Sequence, residues 1–386
     1  MSARSVRGAG AAPAPLAAAR RFLLSGEGWP YLLVVFIPVA LALDAVGAGA
    51  APIFIASALG IVPTAALMGL ATDELAARAG PGIGGLLNVT FGNAPELIIA
   101  LFALNAGLHE VVKASLIGSV LGNTLLVMGG AMLAGGRRRR RQRFNATAAS
   151  VQSTMLLLAA GAMILPAIFQ LIAGGGLPDP GARAVHFGAD LEQISVGVAI
   201  VLLLVYGGGL LFSLRTHSDL FNPDHDDDHV GDEPWSVRRS VVMLAVAGAA
   251  VGVMSELLVG SITEASHGLG LSTFFVGVIV VAIVGNAAEH WVAVTFAIRN
   301  KLDLSVNIAI GSSAQIALFV APVLVLCSLV VGPFPLALVF NGFELGAIVF
   351  AVLVAGHIAH RGESTWFDGL QLLALYAMLG VVFLYV

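Results

Sequence analysis

Two short stretches carry the chemistry open to this chain. GNAPELIIA, residues 92–100, and GNAAEHWVA, residues 285–293, each set an asparagine and a glutamate three residues apart in apolar surroundings. That spacing puts both polar groups on one helix face. Asn93 with Glu96, and Asn286 with Glu289, thus offer two amide oxygens and two carboxylates. Gly92, Asn93 and Pro95 are poor helix formers, so the first stretch is expected to break its helix and free backbone carbonyls as further ligands. An all-oxygen set suits a hard cation such as Ca²⁺. Cys327 is the only cysteine, which leaves no thiolate site for a soft metal and no intrachain disulfide. A lone glutamate could instead be protonated and bonded to a neighbouring helix, but gluing does not require a matched pair.

The elements that hold these residues belong in a membrane. The 386 residues are 58% hydrophobic and 11% charged, with a mean hydropathy of +0.94, far from an ordinary soluble domain. Apolar runs of spanning length fall at 29–47, 51–77, 84–106, 111–135, 150–172, 193–214, 237–264, 271–299, 304–330, 332–356 and 367–385. The first run follows a basic tail, residues 1–28. It reads as a first transmembrane helix rather than a cleaved signal, because it is long and further spans follow at once. Lys and Arg are retained on the cytoplasmic side. With the N-terminus inside, seventeen of the nineteen lie on that face and only Lys113 and Arg183 opposite, which places the C-terminus outside.

The two motifs belong to a longer repeat. Glu96 precedes Ile117 of an IGS element by the same interval that separates Glu289 from Ile310 of IGSS, and TDELA around Glu74 is echoed by MSELL around Glu256. The motifs lie on the third and eighth spans, and an odd offset reverses orientation. The expected fold is therefore all-α and polytopic, with about eleven transmembrane helices: one peripheral helix and two inverted five-helix repeats, 51–214 and 237–386, joined by an acidic cytoplasmic linker, 215–236. Inverted repeats with Gly-rich, interrupted helices are the architecture of secondary transporters, whose site lies at the midplane.

A coupling mechanism follows from charge. Two ionised glutamates balance one divalent cation, and two protons balance them when the cation has left. Either loaded site is neutral, whereas an empty, doubly charged one is disfavoured in low dielectric, which would enforce exchange.

GNAPELIIA with GNAAEHWVA, GSSAQIALFV at 311–320 and FSLRTHSDLF at 212–221 resemble the calcium/proton exchangers (CAX) of the calcium:cation antiporter superfamily, over nearly the whole chain from about residue 29. The resemblance implies that Glu96 and Glu289, with Asn93 and Asn286, hold the transported cation. It implies that Glu74 and Glu256, one helix earlier, serve proton or cation passage.

Other polar residues have two readings each. Ser119 and Asn123, and Ser312, Ser313 and Gln315, follow the motif helices and either complete the ion shell or bond helix to helix. His290 is a proton-relay candidate or a histidine held by a carbonyl. In HSDLFNPDHDDDHVGDE, 217–233, Asp224, Asp226, Asp227 and Asp228 suggest a cation-sensing loop on the family resemblance, or a solvated linker. An EF-hand is excluded, since His229 stands where its glycine belongs and Trp235 where its bidentate glutamate belongs. RRRRRQR, 137–143, reads as a topology signal and lipid contact, with no folded basic domain to suggest nucleic acid. There is no P-loop, HExxH or nucleophile elbow, so neither ATP-driven pumping nor an enzyme is indicated, and no cofactor.

These readings converge on a Ca²⁺/H⁺ antiporter of a prokaryotic plasma membrane, with Ca²⁺ and protons as substrates and the bilayer as partner. The oligomeric state, homo-oligomeric or not, is not set by the sequence. The alternatives are a Na⁺/Ca²⁺ exchanger, another divalent cation/proton antiporter and, from a different class, a non-transporting membrane cation sensor.

Overall fold

The computed structural model describes residues 28–180, 182, 185–218 and 235–386. Their helices are α1 (Trp29–Ala45), α2 (Ala50–Gly92), α3 (Ala94–Asn105), α4 (His109–Gly136), α5 (Ala146–Ile172), α6 (Ala189–Thr216), α7 (Val237–Gly268), α8 (Thr273–Ile298), α9 (Leu302–Cys327), α10 (Gly342–Arg361) and α11 (Trp366–Leu384). Among the described residues nine helices are long and apolar enough to cross a membrane, and a bent pair makes a tenth. The chain is an all-α polytopic membrane protein. The acidic residues Asp224, Asp226, Asp227 and Asp228 lie outside the described residues.

Polar residues at the starts of helices fix where several begin. Asn145 accepts from the Thr147 and Ala148 amides ahead of α5, and Asn341 with Glu344, and Thr365 with Asp368, form capping boxes for α10 and α11. α1 is shorter than the other spans, but Trp29–Val35 is a 3₁₀ helix. At about 2.0 Å per 3₁₀ residue and 1.5 Å per α residue, α1 reaches about 29 Å, close to the thickness of a bilayer core.

The spans expected at 51–77 and 84–106 are found at Ala50–Ala79 and, as a bent pair, at Ile83–Gly92 and Ala94–Asn105. Helical hydrogen bonding runs on past Arg78 to Gly92, and the interruption falls at Asn93, inside the motif. The helix is nonetheless not straight. Residues eight apart in a straight helix lie about 12 Å apart, yet a side chain on Gly84 would run into the Ala76 carbonyl. The chain therefore turns between an arm at Ala50–Ala79 and one at Ile83–Gly92, and the second arm meets α3 at 41°. Pro95, at the start of α3, cannot serve the Phe91 carbonyl, which accepts from the Asn93 amide.

The second copy differs. Ala288 stands where the first has Pro95, and helix α8 runs unbroken through GNAAE. Its irregularity, a π segment at Val276–Val281, comes a turn earlier. Two further π segments, Gly122–Val127 in α4 and Ile316–Val320 in α9, follow Ser119 and Ser312 at nearly matching positions. Such bulges widen a helix locally and often mark functional sites.

Helices α4 and α9 form the centre, with 83% and 78% of their apolar windows buried, against 22% for α6 and α11 at the periphery. Small residues let the central helices meet. A methyl on Gly118 would clash with the Val278 backbone, and one on Gly135 with that of Ala297, so α4 and α8 run side by side in one direction. α2 and α7 run oppositely: Gly60 packs on Met254, and Gly248 on Met68. Lys113 is not an exposed outer charge. It is 1% exposed, paired with Glu110 at 2.6 Å and bonded to the Val339 carbonyl at 2.6 Å, which ties α4 to the segment before α10.

Candidate functional site

α3, α4, α8 and α9 bring the motif residues together. Asn93, 2% exposed, donates through Nδ2 to Gln315 Oε1 of α9 at 2.6 Å. Asn286, 1% exposed, donates through Nδ2 to Ser119 Oγ of α4 at 3.1 Å and to the Ala282 carbonyl at 3.0 Å. Both amide nitrogens are thus held, and both Oδ1 atoms are buried with no protein donor. Glu96 Oε2 is likewise buried without a donor. Buried acceptors left unpaired cost free energy unless something cationic or protonated meets them.

The glutamates come from opposite halves of the chain and share the site. Glu96 lies over Gly285, where a methyl would meet its Cγ and Oε1 at 3.5 Å. Glu289 accepts from Ser312 Oγ at 3.0 Å. Glu289 lies one helical turn beyond Gly285 on the same face of α8. Beside them, His290 Nε2 pairs with Asn123 Oδ1 at 3.2 Å, and Asn123 is fully buried. Ser313 bonds within its own helix and reaches the Val120 carbonyl, as a helix-to-helix contact.

The acids one helix earlier lie elsewhere. Glu74 accepts from the Trp235 amide at 2.7 Å, and Arg78 Nε donates to the Trp235 carbonyl at 3.1 Å, fastening the end of the first arm of α2 to the start of α7. The adjacent acid, Asp73, is exposed. Sequence reasoning passed over Asp73, although an acid beside another in an apolar helix was a signal in plain view. Glu256 is exposed on α7, with no hydrogen bond or ion pair to the described residues.

Among the described residues no three His, Cys, Asp or Glu side chains gather as for a resident metal. A cation held here draws its remaining ligands from amide, hydroxyl and backbone oxygens, a hard and adaptable shell.

The sequence profile of the family described as "Sodium/calcium exchanger protein" matches residues 49–215 and again 239–385. The chain belongs to this family. Among its relatives, the exchanger is 43% identical to the Ca²⁺/H⁺ antiporter of Aphanothece halophytica over 367 residues, covering 92% of this chain and 95% of that one. It is 41% identical to the Ca²⁺/H⁺ antiporter ChaA of Bacillus subtilis, over 84% of this chain and 89% of that one. Its fold matches the structure of native YfkE with a TM-score of 0.77 at 38% identity, covering 92% of this exchanger and all of that chain. The crystal structure of the H⁺/Ca²⁺ exchanger CAX, at 14% identity, shares the fold with a TM-score of 0.68, over 94% of this chain and 93% of that one. The resemblance to the calcium/proton exchangers is thus a family relationship, and the exchanger is an integral membrane transporter rather than an enzyme.

Proposed function

We propose that this exchanger moves Ca²⁺ against protons by alternating access, with Glu96, Glu289, Asn93 and Asn286 as the cation ligands. The observation that carries the reading is the meeting of Glu96 with Gly285, which joins the two motifs into one oxygen-lined site. Ionised, the glutamates neutralise one Ca²⁺; protonated, they carry two protons; emptied and charged, they hold the protein from switching sides. Ser312 steadies Glu289, while Ser119 and Gln315 hold the two amides. Asp73 passes cations or protons between solvent and Glu289, with His290 in reserve as a relay, and Glu256, the repeat counterpart of Glu74, offers the acid of the second half. Glu74 fastens α2 to the start of α7.

The repeats 51–214 and 237–386 are inverted copies in this reading. The antiparallel α2 and α7, the matching π segments in α4 and α9, and the two-fold match of one family profile support it. The setting is a prokaryotic plasma membrane, N-terminus inside and C-terminus outside, on the distribution of Lys and Arg. The relatives named as Ca²⁺/H⁺ antiporters support the ion pair. The test is ⁴⁵Ca²⁺ uptake into sodium-free proteoliposomes under an imposed pH gradient. Uptake driven by an acidic interior is expected. Absence of flux under both gradient polarities, with sodium restoring it, would replace the proton with Na⁺ as the coupling ion.

A further inference from the structure

Between the end of α4 and the start of α11 lies an open cleft of about 450 Å³, lined by Gly136, Arg137, Arg138, Arg139, Arg140 and Trp366. We propose that it binds the phosphate headgroup of an anionic phospholipid.

The neighbouring acids are already taken: Glu363 pairs with Arg141 at 3.0 Å, and Asp368 with Arg361 at 2.8 Å. Arg139 is also committed, donating to the Gly135 and Ile298 carbonyls at 3.0 and 3.2 Å. Arg137, Arg138 and Arg140 are exposed and have no anionic partner among the described residues. Three guanidiniums around one cleft, at the N-terminal end of a 19-residue helix, favour a phosphate, which arginine binds through paired N–H donors.

The surroundings favour a lipid over a soluble phosphate. Trp366, 49% exposed, lines the cleft; Phe367, 52% exposed, meets Trp366 edge-on at 5.8 Å, and Leu370 continues the exposed apolar face along α11. Aromatic side chains of this kind settle at headgroup level, and the apolar face below gives acyl chains a path. The cleft is rigidly built. Gln142 donates to the Ala297 carbonyl at 2.9 Å, and β1 (Gln142–Arg143) pairs with β2 (Glu363–Ser364). A bound headgroup therefore bears on the joint between α4, α11 and the end of α8, the helix that carries Glu289.

The test is native mass spectrometry of the full chain in detergent, titrated with dioleoylphosphatidylglycerol, dioleoylphosphatidylcholine or inorganic phosphate. Saturable binding of phosphatidylglycerol over phosphatidylcholine is expected, weakened about tenfold or more in the triple variant Arg137→Gln, Arg138→Gln, Arg140→Gln. Should that variant not fold, Trp366→Ala is expected to weaken the same binding. Equal binding of both lipids, or unchanged affinity in the folded variants, would overturn the proposal. Displacement of the lipid by inorganic phosphate at equal concentration would assign the cleft to a soluble anion and overturn it too.

Discussion

Glu96 of the first motif rests against Gly285, the opening residue of the second, so a carboxylate from one half of the chain is seated by the backbone of the other. Gly285→Ala adds a methyl at ordinary contact distance and should leave exchange within a few-fold of the parent. Gly285→Val projects carbons into Glu96 and should cut Ca²⁺ uptake by about a hundredfold, the scale of a displacement near 1 Å at a reacting group. Equal uptake by the two variants, reconstituted at matched density, would show that the contact is unimportant.

Removing either carboxylate charge should stop exchange while the fold survives. Glu96→Gln and Glu289→Gln keep the shape of the side chain but leave one negative charge for a divalent ion. Uptake is expected to fall by at least about a hundredfold, given the cost of an uncompensated charge in low dielectric. Size-exclusion profiles should match the parent. Uptake that persists in either variant moves the site elsewhere.

Protons and Ca²⁺ use the same carboxylates, so they compete. Acidifying the face that loads Ca²⁺ should raise the apparent KM for Ca²⁺, and alkalinising it should lower that KM, because each proton bound removes a charge the cation needs. Initial rates across a pH series, with the opposite compartment held constant, measure the effect. A KM indifferent to loading-side pH would separate the proton route from the cation site.

Asp73 and Glu74 should part company when mutated. Glu74→Gln weakens a charge-assisted bond to the Trp235 amide and should lower stability by about 1 kcal/mol with little change in turnover. Asp73→Asn breaks no hydrogen bond or ion pair to the described residues and should slow exchange several-fold at unchanged thermal midpoint. Fluorescence-detected thermal unfolding and flux on the same preparations distinguish the pair. The reverse pattern would return the pathway role to Glu74.

Ser312→Ala removes the hydroxyl that serves Glu289. A hydrogen bond to a charged group contributes about 1.5–3 kcal/mol, so the apparent affinity for Ca²⁺ should change by about tenfold or more with expression intact. Isothermal titration with Ca²⁺ reads this directly, and an unaltered affinity would make the bond incidental.

Some of the site was legible in sequence because its signals are local or repeated. Spanning length is set by the bilayer, so apolar runs announced most of the helices, and Asn93, Glu96, Asn286 and Glu289 stood out as polar groups at one spacing in two places. The break in the first copy was legible too, in Gly92, Asn93 and Pro95. The turn near Arg78 was legible as well. Pattern there suggested a break between two spans, and the chain does turn between Ala79 and Ile83, with helical bonding kept through the bend.

Composition and the duplicated motif alone determined that this is a membrane protein with two oxygen-rich motifs, and motif resemblance its family. Which side chains meet was decided only in the tertiary structure. Consecutive helix residues point about 100° apart, so Glu74 reaches the Trp235 amide while Asp73 beside it is left exposed. In the same way, the pairing of Asn93 with Gln315, and of Asn286 with Ser119, depends on how four helices are rotated against one another. That rotation is set by close approaches such as Gly118 on Val278 and Gly135 on Ala297, between residues far apart in the chain.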